Sequence, residues 1–369
     1  MATIYLHIGA PKTATSTIQR ILARNYKKLL KNGILYPRDQ RHGDAHHTLV
    51  CDLIEKHQNI KMPDLWYGEC SRGQAWQSLL DEISRHEPEI HTVILSSELL
   101  FGQSKNLDQM LEDISSYLGG HELKVVAYLR RQDQLYSSFY NQDVKGIRQW
   151  SHSAYQFYEV HQMFQRDYHS LLSLWSDSLG RNNILIRPYE SEQWLNGDIV
   201  QDFCALVNIP SLNSGSVSSN ESLGINQLYI KLCLNRIGFE KCSNDDILRL
   251  IAKVYPEKPA KGCLYVRSKL YLRYRSQWLL ANKKLEQDFL HGKTLFEQPI
   301  PSAKELKQYA VDRMALAVFF PTLVKKIKNK AFGDHNQLFA QAAALMLAEE
   351  NLWAALDAQE RATLMEWVC

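Results

Sequence analysis

The residues with the clearest chemical potential form one stretch, His7-Ile8-Gly9-Ala10-Pro11-Lys12-Thr13-Ala14-Thr15-Ser16-Thr17. The apolar run Thr3 to Ile8 leads into it and reads as a short buried strand. Ile18, Ile21, Leu22, Tyr26, Leu29 and Leu30 follow with helical recurrence up to Gly33, a natural stop. A loop between strand and helix faces the helix's first N–H groups, which have no internal partner, and the positive end of its dipole. Gly9 permits close backbone approach or an unusual dihedral where the strand ends. Lys12 supplies a cation. Thr13, Thr15, Ser16 and Thr17 supply hydroxyls that can bind phosphate oxygens or cap the helix. A lysine at a helix start opposes the macrodipole, so a merely solvated Lys12 is physically disfavoured. The spacing is not Gly-x4-Gly-Lys-[Ser/Thr]: the lysine lies three residues after Gly9 and no second glycine precedes it. No metal-binding acid is evident beside it. The expected ligand is a phosphate-like group handled without Mg²⁺.

Gly9-Ala10-Pro11-Lys12-Thr13-Ala14-Thr15-Ser16-Thr17 resembles the 5′-phosphosulfate loop of the sulfotransferases that use 3′-phosphoadenosine 5′-phosphosulfate (PAPS). One position departs: Ala14 stands where the family carries glycine. Alanine tolerates positive φ poorly, so the loop is expected to be helical there or slightly remodelled. The family also has a 3′-phosphate site, an arginine ending a strand and a serine eight residues on. Here Val125-Val126-Ala127-Tyr128-Leu129 ends in Arg130, and Ser138 follows at that spacing. A strand's carboxyl end is the edge where open α/β sheets bind ligands, and a guanidinium with a hydroxyl can hold one phosphate. Arg131 and Ser137 are adjacent competitors. Gly33-Ile34-Leu35-Tyr36-Pro37, Asp167-Tyr168 with Leu171, Leu172 and Trp175, Ile186 to Glu190, Gly197 to Phe203 and Ala281 to Leu285 with Leu295-Phe296 are similar to segments of bacterial members. The resemblance covers about residues 3–297.

The resemblance implies transfer of a sulfuryl group from PAPS, as co-substrate and without a metal, to an acceptor hydroxyl. The bacterial relatives' range makes a carbohydrate the expected acceptor, and a glycan or small-molecule hydroxyl the partner. Lys12 would neutralise the leaving 5′-phosphate while the loop amides and hydroxyls hold oxygens. In this family the base that deprotonates the acceptor is usually His or Glu. Glu98, in Leu95-Ser96-Ser97-Glu98, follows a strand and resembles a Ser-Ser-Glu segment of bacterial members; a first-turn helix glutamate is the plainer reading. His42, His46 and His47 are further candidates, and Glu98 and His47 are the two carried forward beside Lys12. His46 and His47 make a poor metal pair, since adjacent helical residues point apart. His7 reads as packed or hydrogen-bonded, and Arg187 as one half of a structural ion pair. Lys261-Gly262 is weakly similar to a basic-glycine cofactor loop. No aromatic residue singles itself out for adenine stacking.

The elements that must position these residues are an α/β succession. Further strands are expected at Val93 to Leu95, Leu123 to Leu129 and Ile184 to Ile186, with helices near 74–86, 106–118, 132–145 and 163–178. Continuously apolar strands separated by helices argue for a P-loop-like parallel sheet covered on both faces. Beyond a polar loop at 210–223 the strand signal fades, and helices are expected over 225–255, 264–291, 302–330 and 335–368. The expected organisation is a nucleotide-binding domain over 1–299, with 225–299 as acceptor wall, and a helical extension over 300–369.

The 369 residues are 45% apolar and 22% charged, which supports a packed core. The net charge of +3 is too weak for a generic nucleic-acid binder. The longest apolar run, Met314 to Phe320, is far short of the ~18 residues of a membrane span. With no leader pattern and seven scattered cysteines lacking any C-x2-C pair, a cytoplasmic protein is expected. The basic run Lys325 to Lys330 reads as a solvated helix end. The amphipathic stretch Leu338 to Trp353 is expected to pack on the domain, with peripheral membrane contact as the alternative. Nothing in the sequence fixes an oligomeric state. Two other functions stay open: a non-catalytic nucleotide-binding or scaffold protein, with Ala14 as a mark of decay, and, more remotely, a P-loop kinase.

Overall fold

The computed structural model describes all residues except 69, 103–104, 162–166, 214–221, 259–268, 303–312 and 369. Lys261-Gly262, the middle of the expected loop at 210–223, the start of the expected helix at 264 and residues 303–312 of the helix expected from 302 therefore lie outside the described residues. In chain order the main elements are β1 (Thr3–His7), α1 (Thr15–Arg24), α2 (Tyr26–Leu30), β2 (Ile34–Leu35), α3 (His47–Gln58), α4 (Ala75–His86), β3 (Thr92–Ser96), α5 (Leu107–Leu118), β4 (Glu122–Leu129), α6 (Gln132–Lys145), α7 (Ala154–Val160) and α8 (Tyr168–Leu179). They continue with β5 (Ile184–Pro188), α9 (Ile199–Leu206), α10 (Ile225–Ile237), α11 (Asn244–Val254), α12 (Lys269–Phe289), α13 (Arg313–Lys328), α14 (Asn336–Glu349) and α15 (Ala358–Val368).

Contacts divide the chain into two units, with one junction beside the expected boundary at 299 and two earlier segments grouped with the C-terminal residues. The first joins Met1–Gln132, Gln165–Ser218 and Arg273–Ile300; the second joins Asp133–Phe164, Ser219–Leu272 and Pro301–Cys369.

The first unit is built on a five-stranded sheet in the order β2-β3-β1-β4-β5. Every pairing is parallel, so all five carboxyl ends lie on one edge. The strand interiors, 4–6, 93–95, 125–129 and 184–186, are apolar because both faces are covered. On one face Tyr5, Ile94, Val126 and Tyr128 pack with Ile18, Ile21 and Leu22 of α1 and Val200, Phe203 and Cys204 of α9. On the other, α8 lies against β4 and β5 with α5 beside it. Trp175 of α8 is fully buried, worth roughly 2–3 kcal/mol relative to exposure. The chain runs from β1 to the far edge and back through β3 before crossing to β4, which makes the end of β1 a topological switch point.

The second unit is helical. Ile230, Cys233 and Leu234 of α10 meet Ile247 and Ile251 of α11, Phe320, Leu323 and Ile327 of α13 and Phe339, Ala343 and Leu347 of α14 in one core. The amphipathic stretch from Leu338 therefore packs inside this unit, and Lys325, Lys328 and Lys330 lie exposed at the end of α13. The shared core is why 225–254 goes with 313–368 rather than with the sheet. Lys231 is fully buried here; its ammonium donates to the Val144 carbonyl at 3.1 Å and to Asn235. Burial pushes its pKa down to about 8. The lysine thereby caps the carbonyl end of α6.

Candidate functional site at the carboxyl edge of the sheet

β1 ends at His7, and the chain continues Gly9 to Ala14 before α1 begins at Thr15. Ile8 and Ala10 still donate backbone hydrogen bonds to Val126 and Tyr128 of β4, each at 3.0 Å, so the loop leaves the sheet along β4. Gly9 has φ +35°, and a Cβ there would lie 2.6 Å from the Thr15 methyl and 3.1 Å from His7 Nε2. Both reasons for a glycine, dihedral and close approach, apply at this position. Lys12 and Ala14 also hold positive φ, +68° and +58°.

Ala14 corrects the sequence expectation. The backbone is not helical there; it takes the left-handed conformation, φ +58° and ψ +24°, that a glycine adopts readily. Ala14 is the N-cap of α1 without a side chain able to cap, and its carbonyl accepts from Thr17 and Ile18. Thr13 is fully buried and its hydroxyl donates to the Ala10 carbonyl at 2.5 Å, so it braces the loop from within. Thr15 is buried, Pro11, Lys12 and Thr17 are half-buried, and Ser16 is exposed.

Arg130 follows β4 on the same edge. Its Nη1 donates to the Lys12 carbonyl at 3.2 Å, and its guanidinium lies 5.4 Å from the centre of the Tyr189 ring. Its own carbonyl accepts from the Tyr168 hydroxyl at 2.5 Å. Its Nε is buried without a hydrogen-bond partner among the described residues. Arg130 and the Lys12 backbone thus meet at the carboxyl edge of the sheet. Ser138 lies on α6 and belongs to the second unit, where it is half-buried. The competitors are engaged elsewhere: Arg131 donates to the carbonyls of Gln298 and Pro299, and Ser137 to that of Asp133. Arg187 pairs with buried Asp202 at 3.2 Å, as the sequence reading expected.

A cleft of about 230 Å³ opens beside α1, lined by Ser16, Gln19, Arg20, His42, Asp44, Ala45, His47, Trp66 and Glu98. Glu98 comes two residues after β3, on the ligand edge. His47 Nε2 lies 3.8 Å from Glu98 Oε1, and its Nδ1 shares a 2.8 Å hydrogen bond with the Ser97 hydroxyl. Burial lowers the His47 pKa, partly offset by the Glu98 charge. The ring is therefore neutral at pH 7 and able to accept a proton. His42 also lines the cleft, its ring 5.2 Å from Trp66.

His46 behaves oppositely. Its Nε2 meets the Pro37 carbonyl at 3.0 Å and its Nδ1 accepts from the Ser96 amide at 3.1 Å, so both nitrogens are committed. Burial pushes its pKa down to about 3. His7 is likewise buried and pushed down to about 3; its Nδ1 shares a 2.8 Å hydrogen bond with Ser96 Oγ. These two histidines are structural.

Gln19, Arg20 and Trp66 are site residues that sequence reasoning missed, and Gln19 is the most connected. Its amide donates to Ser96 Oγ at 3.2 Å and to Glu98 Oε2 at 3.0 Å, tying β3 to α1. Ser16, Gln19 and Arg20, spaced i, i+3 and i+4, share one helix face, a signal that could have found them. Trp66, in a short 3₁₀ turn, carried none.

No family model matches the chain. A protein of Archaeoglobus fulgidus described as uncharacterized is 23% identical over 271 residues, covering 70% of this chain and 72% of that one. A crystal structure of a sulfotransferase from Alicyclobacillus acidocaldarius is similar with a TM-score of 0.38 and 13% identity, over 68% of this chain and 95% of the other.

Proposed function

We propose that this protein is a sulfotransferase that moves a sulfuryl group from PAPS to a hydroxyl, with a carbohydrate as the acceptor class. What supports the reading is the meeting of Lys12 and Arg130 around one strained loop at the switch point of the sheet. The loop amides from Gly9 to Thr17 and the Ser16 and Thr17 hydroxyls are suited to phosphate and sulfate oxygens, and the buried, unpartnered Arg130 Nε suits an anion. The resemblance assigns Ser138 to the 3′-phosphate, a role that rests on the sequence.

In the step itself the acceptor oxygen bonds to sulfur as its proton leaves. The bond from sulfur to the bridging oxygen breaks, and its electron pair stays on the departing 5′-phosphate. Lys12 neutralises that charge. His47, neutral and at the cleft surface, takes the proton, and Glu98 stabilises the imidazolium that results.

Thermal stability with nucleotides tests the first half. Adenosine 3′,5′-bisphosphate should raise the melting temperature, whereas ATP with Mg²⁺ should not. Sulfate transfer to a panel of glycans, read as an 80-dalton gain, tests the second. Lys12→Ala should lower transfer by about 10³-fold, at the upper end for a lost transition-state donor, with the fold intact. Unchanged transfer in that variant would refute the mechanism. Stabilisation by the bisphosphate with no transfer to any acceptor would favour a non-catalytic nucleotide-binding protein.

A further inference from the structure

We infer that Arg130 is also a positioning residue for the 5′ end: it pins the loop whose backbone would grip the 5′-phosphate. This inference deepens the reading above and rests on it for its nucleotide. A guanidinium has donors enough to hold a loop carbonyl and still face an anion. Here Nη1 is given to the carbonyl of Lys12, and Lys12 is itself in the left-handed region at φ +68°. A non-glycine residue persists in that region only when its surroundings hold it there.

The support reaches the loop from two sides. From within, the Thr13 hydroxyl holds the Ala10 carbonyl. From outside, the guanidinium holds the Lys12 carbonyl. The guanidinium is itself fixed by the Tyr189 ring beneath it, and the Arg130 backbone by the Tyr168 hydroxyl. Tyr189 is anchored in turn, since its amide donates to the Leu129 carbonyl at 2.6 Å. A carbonyl turned toward a guanidinium orients its peptide plane, so the next amide, that of Thr13, points the other way. Arg130 thereby sets the direction of a loop N–H as well as supplying charge.

The test separates the pin from the nucleotide. Arg130→Met keeps an unbranched side chain and removes every donor; Arg130→Lys keeps the charge and removes the planar fork. Amide hydrogen exchange of the ligand-free protein is read over 9–18, where Ala10, Thr17 and Ile18 are hydrogen-bonded, with β3 as the internal control for folding. Both variants should exchange about tenfold faster in this segment and unchanged in β3. Affinity is then measured for adenosine 5′-monophosphate, which has no 3′-phosphate. It should fall about tenfold in Arg130→Met, the size of one charge-assisted hydrogen bond. Unchanged loop exchange, or loss of affinity confined to adenosine 3′,5′-bisphosphate, would overturn the inference. Faster loop exchange in a protein that binds neither nucleotide would leave the pin standing and defeat the proposed function instead.

Discussion

The loop from Gly9 to Ala14 and the cleft beside it are neighbours built on opposite principles. The loop places its groups by backbone conformation, with positive φ at Gly9, Lys12 and Ala14. The cleft has ordinary backbone and places its groups by a side-chain network: His7 to Ser96, Ser96 to Gln19, Gln19 to Glu98, Glu98 beside His47, His47 to Ser97. A strained backbone fixes the direction of its N–H groups, as the proposed phosphate site requires. A network of titratable side chains suits a proton that must move. The two regions should therefore fail under different insults, the cleft to acid and the loop to substitution of single residues.

Acid should give the largest effect. His7 and His46 are buried neutral, each with a folded pKa of about 3 against 6.5 when unfolded. Between those values the unfolded chain binds more protons. The stability from keeping these rings neutral is fully present above pH 6.5 and falls as pH drops toward 3. At pH 5 each ring should cost about 2 kcal/mol, and the two together about 4 kcal/mol. Denaturant melts at pH 7.5 and pH 5 measure the loss, and His7→Gln should remove about half of it. A pH-independent midpoint over this range would mean that the cleft floor is not the acid-sensitive region.

Next in size is Gln19→Leu. It leaves Ser96 Oγ and the Glu98 carboxylate without their shared donor, which should cost about 1–3 kcal/mol of stability. The loop exchange at 9–18 should stay unchanged. If the loop loosens as much as the cleft, the two regions are one mechanical unit and the comparison fails.

Glu98→Gln should act on charge more than on packing. The Glu98 carboxylate raises the His47 pKa against burial. Its removal should move the acidic limb of the pH–rate profile further below 6.5 and slow transfer by about tenfold, the ~1.4 kcal/mol scale of one charged contact. A limb that moves upward would show that Glu98 does not act on His47 through its charge.

Much of the loop's form was legible because backbone devices leave marks in residue type: a glycine where a strand ends, a lysine, a run of hydroxyls. The parallel sheet was legible in the largely apolar runs at 3–8, 93–95, 123–129 and 184–186; the structure ends the first one residue earlier and extends the other three by one or two residues. β2 was not, since two residues carry no periodicity. The helix expected up to Gly33 breaks at Asn25, and the one expected over 225–255 breaks at Gly238, whose φ is +89°. The cleft was legible only in part. Glu98 and His47 were named, but Gln19, Ser96 and Ser97 join β3 to α1 and α3 across long sequence separations. A network of that kind has no local pattern, because what selects its members is distance in the fold.

Ala14→Gly should give the smallest effect and the cleanest view of the loop. An alanine in the left-handed region carries about 1–2 kcal/mol of local strain, and a glycine there carries none. The unfolded glycine chain is more flexible, which returns about 0.4–1 kcal/mol of that gain. The net expectation is stabilisation by about 0.5–1 kcal/mol in denaturant melts, with the pH dependence from His7 and His46 unchanged. Destabilisation would mean that the Ala14 methyl contributes more through its packing against the α1–α9 cluster than its backbone loses. In that case the loop, like the cleft, is held by its side chains, and the alanine is part of the device.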